Sequence, residues 1–355
     1  MSTRVDIKQD IPIALVHFGS KLPRHLTANL KYLKSFGRPI YVITDNKNVE
    51  KRCTNMGIHT YFYEQVLHEF AAIELNTTHN LRFRNGFWAK AIIRLIALES
   101  FMKHSNSTPF IHLESDIWIS PNFPFKLLQS QYEKISFPIE SVGHGIPSVV
   151  YIPSVKSIEN LVNFVRESIA EDSSATDMSI LYNYAVKFPQ EVNILKTIPM
   201  LGDFSRSGYP NKLASQVTCK LEDEGIFDAL SIGMYFMGED PRNNKGRRQL
   251  FVGRTDSFLN LKSSSLSFKG NRLLISKSGI ETEVYNLHVH SKDIRVFKLP
   301  IFRLLVRLRY YQSKKGPRRQ ITYHVVTRRS TSLKLSILRN LRKFFLVNQK
   351  TKKIP

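Results

Sequence analysis

Two consecutive stretches decide the fold: GFWAKAIIRLIALESFMKH at Gly86–His104, then PFIHLESDIWI at Pro109–Ile119. In the first, Phe87, Ala91, Ile92, Leu95, Ile96 and Leu98 form a wide apolar face at helical spacing, so the segment predicts a long helix. The second is an apolar run, which predicts a buried strand, but Glu114 and Asp116 interrupt it. On a strand, residues two apart face the same way. A charge inside an apolar strand is costly unless it is paired or bound to a metal.

Working outward, the first sixty residues read as β-α-β-α-β. Ile11–Phe18 is a buried strand. Leu22–Phe36 carries Leu22, Leu26, Leu30 and Leu33 at helical spacing and is closed by Gly37. Pro39–Asp45 is a second strand, Asn46–Met56 a short polar helix stopped by Gly57, and Ile58–Tyr63 a third strand. Apolar strands alternating with helices predict a mainly parallel sheet covered on both faces, with ligands at the carboxyl ends of the strands. Further helices are expected at Ser154–Ala170, Asp177–Val186 and Phe227–Met237, and a late strand at Val284–His290.

The chain has 355 residues, 42% hydrophobic and 23% charged, which excludes a disordered chain and allows one large or two ordinary domains. Cys53 and Cys219 are too few for a disulfide framework and read as reduced thiols. The polar residues Met1–Asp10 carry no signal-peptide core, and no run of about 18 apolar residues occurs, so the expected location is the cytoplasm. The net charge of +23 is uneven: 17 of the 52 Lys and Arg, and none of the 29 acids, lie in Lys298–Pro355. This divides the chain into an expected domain over 1–296 and a basic extension over 297–355. In the extension, Ile301, Leu304, Leu305 and Leu308 line one side of Pro300–Tyr311, beside Arg303 and Arg307. Leu333–Val347 repeats the scheme, with Ser330–Ser332 as candidate caps. Such helices suit peripheral attachment to an anionic membrane surface; the alternative is packing on the domain with a basic outer face. Nucleic acid is the poorer partner, since no recognised module occurs and the aromatics do not interleave as a stacking platform.

Glu114 and Asp116, one residue apart, can present oxygens to one divalent cation, and Mn²⁺ or Mg²⁺ is the expected cofactor. The plainer alternative is a pair of strand-end acids meeting Lys or Arg. FWAKAIIRLIAL followed by PFIHLESDIWISPNF resembles the helix and DXD strand of GT-A glycosyltransferases, especially bacterial surface-polysaccharide enzymes, with Glu114 standing where Asp is commoner. The resemblance spans residues 11–296 and implies a GT-A α/β fold: a Rossmann-like mixed sheet flanked by helices. It implies transfer of a sugar from a nucleotide-diphosphate donor to a glycan or lipid-linked acceptor. VHFGS at 16–20 then places His17 and Gly19 against the nucleotide, and Asp45 against base or ribose. TDMSIL at 176–181 offers Asp177 to the sugar or acceptor, as a general base or hydroxyl partner. NLHVHSK at 286–292 offers His288 or His290 to the metal and Lys292 to the diphosphate, which Lys90 and Arg94 could also reach. Asp228, Gly233 and Asp240 match more loosely, on the acceptor side.

Each residue has a structural alternative: Asp177 as a first-turn helix acid, the histidines as a satisfied pair, Lys90 and Arg94 as a basic edge, Trp88 as core, Gly19 as a turn. Two rival functions stand beside glycosyl transfer. A nucleotidyltransferase should carry a Gly-rich basic loop after the first strand, of which VHFGSKLPRH is a poor version. A catalytically degenerate protein would act by membrane or nucleic-acid binding through the basic tail.

Overall fold

A computed structural model describes residues 10–80, 82–105, 109–131, 133–197, 225–244, 247–314 and 322–324. The expected segment Leu333–Val347 and Cys219 lie outside the described residues.

The βαβαβ opening forms as the periodicities dictate. Strand β1 (Ile13–His17) is followed by α1 (Arg24–Leu33), whose last turn tightens and stops at Gly37, φ 70°. Strand β2 (Ile40–Thr44), helix α2 (Lys47–Thr54) capped by the Asn46 side chain, and β3 (His59–Phe62) complete it. Helix α3 (Val66–Asn76) leads to α4 (Phe87–Ser105), the long helix predicted around Ile92.

The predicted strand Pro109–Ile119 is in fact two. Strand β4 (Phe110–Leu113) pairs in parallel with β1, whereas β5 (Ile117–Ile119) leaves that sheet and enters another. Glu114, Ser115 and Asp116 form the step between them. Two carboxylates in the middle of a buried ladder would face apolar neighbours on both sides; at a step between sheets they face a cleft.

Helix α5 (Phe125–Gln131) precedes β6 (Ile135–Ser141), β7 (His144–Gly145) and β8 (Val149–Ile152). Helices α6 (Val155–Glu171) and α7 (Asp177–Lys187) and strand β9 (Val192–Leu195) close this half. The main sheet runs β3-β2-β1-β4-β8-β6-β7, with β9 on β6; β1 to β4 are mutually parallel and β8 is antiparallel to both β4 and β6. This is the expected Rossmann-like mixed sheet flanked by helices. Along β1 and β4, alternate residues enter opposite cores: Ile13, Leu15, Ile111 and Leu113 pack towards α1 and α2, while Ala14 and Phe110 pack towards α4 and α6.

A second sheet is built from β10 (Gly225–Phe227), β12 (Ser265–Lys269), β13 (Arg272–Lys277) and β14 (Ile280–His288), in the order β10-β14-β13-β12, with β5 pairing the last residues of β14, Asn286, Leu287 and His288, past the part that pairs with β13. The predicted helix Phe227–Met237 is shorter than expected. Residues 225–227 are strand, and the helix α8 begins at Ser231 and ends at Met237. The predicted strand Val284–His290 stops at His288, and His290 and Lys292 lie in the following turn. Strands β11 (Arg247–Gln249) and β15 (Thr322–His324) form a separate antiparallel pair.

Helix α9 (Leu299–Lys314) covers the expected Pro300–Tyr311 segment, but its buried face differs. Phe302, Leu305 and Val306 are buried, while Ile301 and Leu304 are exposed. Phe302 inserts against Trp118 of β5 and Phe268 of β12, with ring centroids 4.9 and 5.4 Å away. The aromatic contact sets the rotation of the helix, and counting aliphatic residues alone turned the expected face. No helix among the described residues is long and apolar enough to cross a membrane.

Candidate metal and nucleotide cleft

The cleft, about 460 Å³, opens at the carboxyl ends of β1 and β4, between the amino-terminal halves of α4 and α7 and the end of β14. Strand pairing brings these ends together. The parallel strands share one direction, and β14 reaches the same place because β5 hands it the edge next to the acid step.

At the centre stand Glu114, Asp116 and His288, whose ligand atoms all lie within 4.8 Å of one another. His288 Nε2 is 3.5 Å from Glu114 Oε2 and 3.5 Å from Asp116 Oδ2. The imidazole is aimed by its other nitrogen. Nδ1 donates to the carbonyl of Ala229 at 2.8 Å, which leaves Nε2 towards the acids. Burial opposes protonation, but the two carboxylates outweigh it and push His288 up to about 9. Burial also works against ionised Asp116, yet Lys292 and His288 hold it well below the usual carboxylate range; Lys292 Nζ donates to Asp116 Oδ2. Two acids and an imidazole directed at one point fit a divalent cation of the Mn²⁺ or Mg²⁺ kind. His290 lies beside His288, ring centroids 4.4 Å apart, but outside this triad; burial, with His288 adding to it, lowers it to about 3.

Arg94 is engaged. Its guanidinium donates to Glu114 and, at 2.7 Å, to Asp177 Oδ2. Burial raises both acids; Arg94 brings Glu114 down below its ordinary value, while Asp177 stays above. Asp177 is also the first residue of α7, whose Thr176 and Ser179 form a capping box. Lys90 lines the cleft one turn before Arg94 and makes no ion pair among the described residues. Asp45 is placed differently from a cleft residue: its carboxylate accepts from the Gly19 N–H at 3.0 Å and so shapes the turn after β1. His17 lines the cleft, and its Nε2 donates to the Lys21 carbonyl at 3.0 Å. Trp88 also lines the cleft rather than the core alone, with Phe83 and Phe87 exposed beside it on the rim. Arg84, next to them, reaches across to Asp240 at 3.4 Å.

Several supporting residues escape sequence reading. The acid step is held from beneath by α1: Asn29, fully buried, donates to the carbonyls of Ser115 and Ile117 at 3.1 and 3.0 Å, and Tyr32 donates to Ile119 at 2.7 Å. Asp228 does not line the cleft. It accepts from the N–H groups of Ile232, Gly233 and His288 at 2.9, 2.8 and 2.9 Å, tying the start of α8 to the end of β14. A Cβ at Gly233 would fall on the carbonyl oxygen of His288, so only glycine lets the helix approach that closely. Glycine inside a helical run is the signal that could have found this contact.

Behind the cleft wall, Glu140 accepts from Ser231 Oγ, and burial pushes its carboxyl from 4.5 up to about 7. The folded protein therefore keeps a proton that the unfolded chain releases at lower pH. The stability this group contributes is full below about pH 4.5 and is lost as pH rises through about 7. Glu140→Gln keeps the accepting oxygen and removes the ionisation. The variant is expected to match the parent in acid and to exceed it in urea denaturation above pH 7, by on the order of 3 kcal/mol.

The chain matches no family model and no curated protein sequence. Among solved structures it is similar to a glycosyltransferase involved in the glycosylation of the major capsid of PBCV-1, at 14% identity over 52% of this chain and 80% of that one, TM-score 0.29. It is similar to HddC from Yersinia pseudotuberculosis at 10% identity over 52% and 90%, TM-score 0.29, and to the inositol-1-phosphate CTP transferase from T. maritima at 10% over 52% and 85%, TM-score 0.31. These likenesses are too distant to add to the strand order and register, which carry the fold.

Proposed function

We propose that the chain is a glycosyltransferase of the GT-A kind, moving a sugar from a nucleotide-diphosphate donor to a glycan or lipid-linked acceptor with divalent-metal assistance. The observation that carries this reading is the convergence of Glu114, Asp116 and His288 from two sheets on one point of the carboxyl-end cleft. These three residues would hold Mn²⁺ or Mg²⁺, which when bound neutralises the charge that gathers on a departing diphosphate. Lys292, already drawn to Asp116, and Lys90 bring ammonium groups to the same diphosphate. Phe83, Phe87 and Trp88 offer ring faces to a base or a sugar at the rim. Arg94 holds Glu114 and Asp177 in place rather than binding phosphate, and Asp177 presents an oxygen to a sugar or acceptor hydroxyl. A cytoplasmic membrane surface is the proposed setting, met by the basic tail that begins with the exposed Ile301, Leu304 and Arg307 of α9.

Thermal-shift measurements with UDP, GDP, CDP and dTDP, each with and without Mn²⁺, test the reading. One nucleotide is expected to stabilise the protein only with the metal, by about 2.7 kcal/mol when it is present at a hundredfold its Kd. No shift with any nucleotide on folded protein sinks the transferase reading in favour of a binding protein on a transferase fold.

A further inference from the structure

A second cleft, about 870 Å³, lies between α8, the segment 251–265 and the end of α9. Its walls carry hydroxyl and amide side chains, two aromatic rings, the cations Arg254 and Lys262 and, among the described residues, no carboxylate. The rings are Tyr235 and Phe251, set edge to face with centroids 5.5 Å apart. Ser264 lines it too. That residue is only 4% exposed, and its Oγ has no hydrogen-bond partner among the described residues. An unpaired hydroxyl buried at the cleft wall is unfavourable, and a hydrogen-bonding ligand that reaches it would relieve it.

The two clefts are neighbours: Arg254 lines both. Its guanidinium is already matched by Asp256, with Nε donating to Oδ1 at 2.9 Å, so it brings little free charge to an anion. Glu140, Ser231 and Ser257 form the hydrogen-bonded wall between them, with the Ser231 and Ser257 hydroxyl oxygens 2.9 Å apart. We infer that this second cleft binds a neutral oligosaccharide and leads its end past Arg254 into the first cleft. Sugar hydroxyls donate and accept at once, as do the serine, threonine and amide groups of the walls. The half-buried Phe251 ring suits the apolar face of a pyranose, whereas a lipid chain would find too many polar groups, and the exposed Lys262, the one wall cation without an ion pair among the described residues, is too little charge to select a phosphate. As an acceptor site this rests on the transferase reading, but as a saccharide site it stands on the cleft alone.

Saturation-transfer NMR on the full chain with maltohexaose, cellohexaose and chitohexaose tests it. At least one is expected to bind, with affinity falling about tenfold or more in Thr255→Trp and in Asn260→Trp, two exposed wall positions where a bulky ring fills the space. Either folded variant suffices if the other misfolds. No binding of any of the three, or binding undiminished in the folded variants, overturns the inference. Nucleotide shifts on the unmodified chain separate the two readings. A metal-dependent nucleotide shift without saccharide binding removes this cleft's role and leaves glycosyl transfer standing. Saccharide binding without a nucleotide shift does the opposite.

Discussion

Asp116→Ala is expected to abolish Mn²⁺-dependent nucleoside-diphosphate binding and to lower transfer by between about a hundred- and a thousandfold. The effect is large because Asp116 meets two partners at one atom and belongs to the triad. Its Oδ2 faces His288 Nε2 at 3.5 Å, receives the Lys292 ammonium, and belongs to the triad whose ligand atoms lie within 4.8 Å. No neighbour can take its place, since Glu114 is held by Arg94 on its other side. The architecture should survive. The backbone of Asp116, which accepts from the Val289 N–H at 2.9 Å, is untouched, and Lys292 is far enough into solvent to rehydrate. Titration calorimetry of the nucleotide that gives the thermal shift, with and without Mn²⁺, on parent, Asp116→Ala and Asp116→Asn, measures this directly. Unchanged affinity in both variants removes the triad from nucleotide binding. Loss in both, with unchanged urea midpoints, places the effect in the charge rather than in folding.

The parallel half of the fold was legible because each of its elements carries a complete local signal. Ile13–His17 and Ile40–Thr44 are continuous apolar strands, Leu26, Leu30 and Leu33 mark one face of α1, and Gly37 and Gly57 stand at positive φ where the helices end. The second sheet was hardly legible, although two of its turns are written plainly. Gly270–Asn271 joins β12 to β13 and Ser278–Gly279 joins β13 to β14, both two-residue hairpin loops by the registers Lys269↔Arg272 and Lys277↔Ile280. What hid them is the half-polar character of the strands: Ser265 and Ser267 alternate with Leu266 and Phe268, and β14 carries the polar run Glu281, Thr282 and Glu283 before most of its apolar residues.

The acid pair stood out in the sequence because carboxylates interrupt an apolar run, and the same cue misled about the backbone. HLESDIWI reads as one strand, yet β4 and β5 belong to different sheets, and the change of sheet is a tertiary event with no local code. The partners of the pair were partly legible. His288 and Lys292 could be named, but the choice between His288 and His290 depends on the Ala229 carbonyl that aims Nδ1, contributed 59 residues away. Asn29 and Tyr32 were invisible as supports, because a polar stripe on a helix ordinarily faces water. Here it faces the carbonyls of the acid step. Periodicity sets Arg94 one turn from Lys90, but α7 lies close enough to claim it for Asp177.

That engagement makes Arg94→Leu the substitution with the largest expected cost to stability. The Arg94 side chain is 13% exposed and the side chains it joins, Glu114 and Asp177, are 17% and 7% exposed, so neither acid can turn to water for compensation. Removing the cation leaves Asp177 without its charged partner and Glu114 with His288 alone, beside the like charge of Asp116; breaking a buried pair in this way costs about 3–5 kcal/mol. The pH dependence has a definite sign. Burial raises Glu114 and Arg94 more than offsets it, so in the parent this acid contributes stability that is present above its ordinary range and is lost as pH falls through the lower folded value. In the variant the burial contribution and Asp116 both favour the protonated acid, and at Glu114 His288 alone opposes them. The deficit is therefore full near neutral pH and shrinks as acid protonates Glu114 and Asp177. Urea denaturation of parent and variant at neutral and at mildly acidic pH measures both parts. A constant deficit would mean that lost packing of the arginine stem, rather than unpaired charge, accounts for it. Mn²⁺ separates the parts further. A cation held by Glu114, Asp116 and His288 restores a positive partner to Glu114 but not to Asp177, so the metal is expected to recover only part of the loss at neutral pH. Full recovery would show that Asp177 needs no partner where it stands.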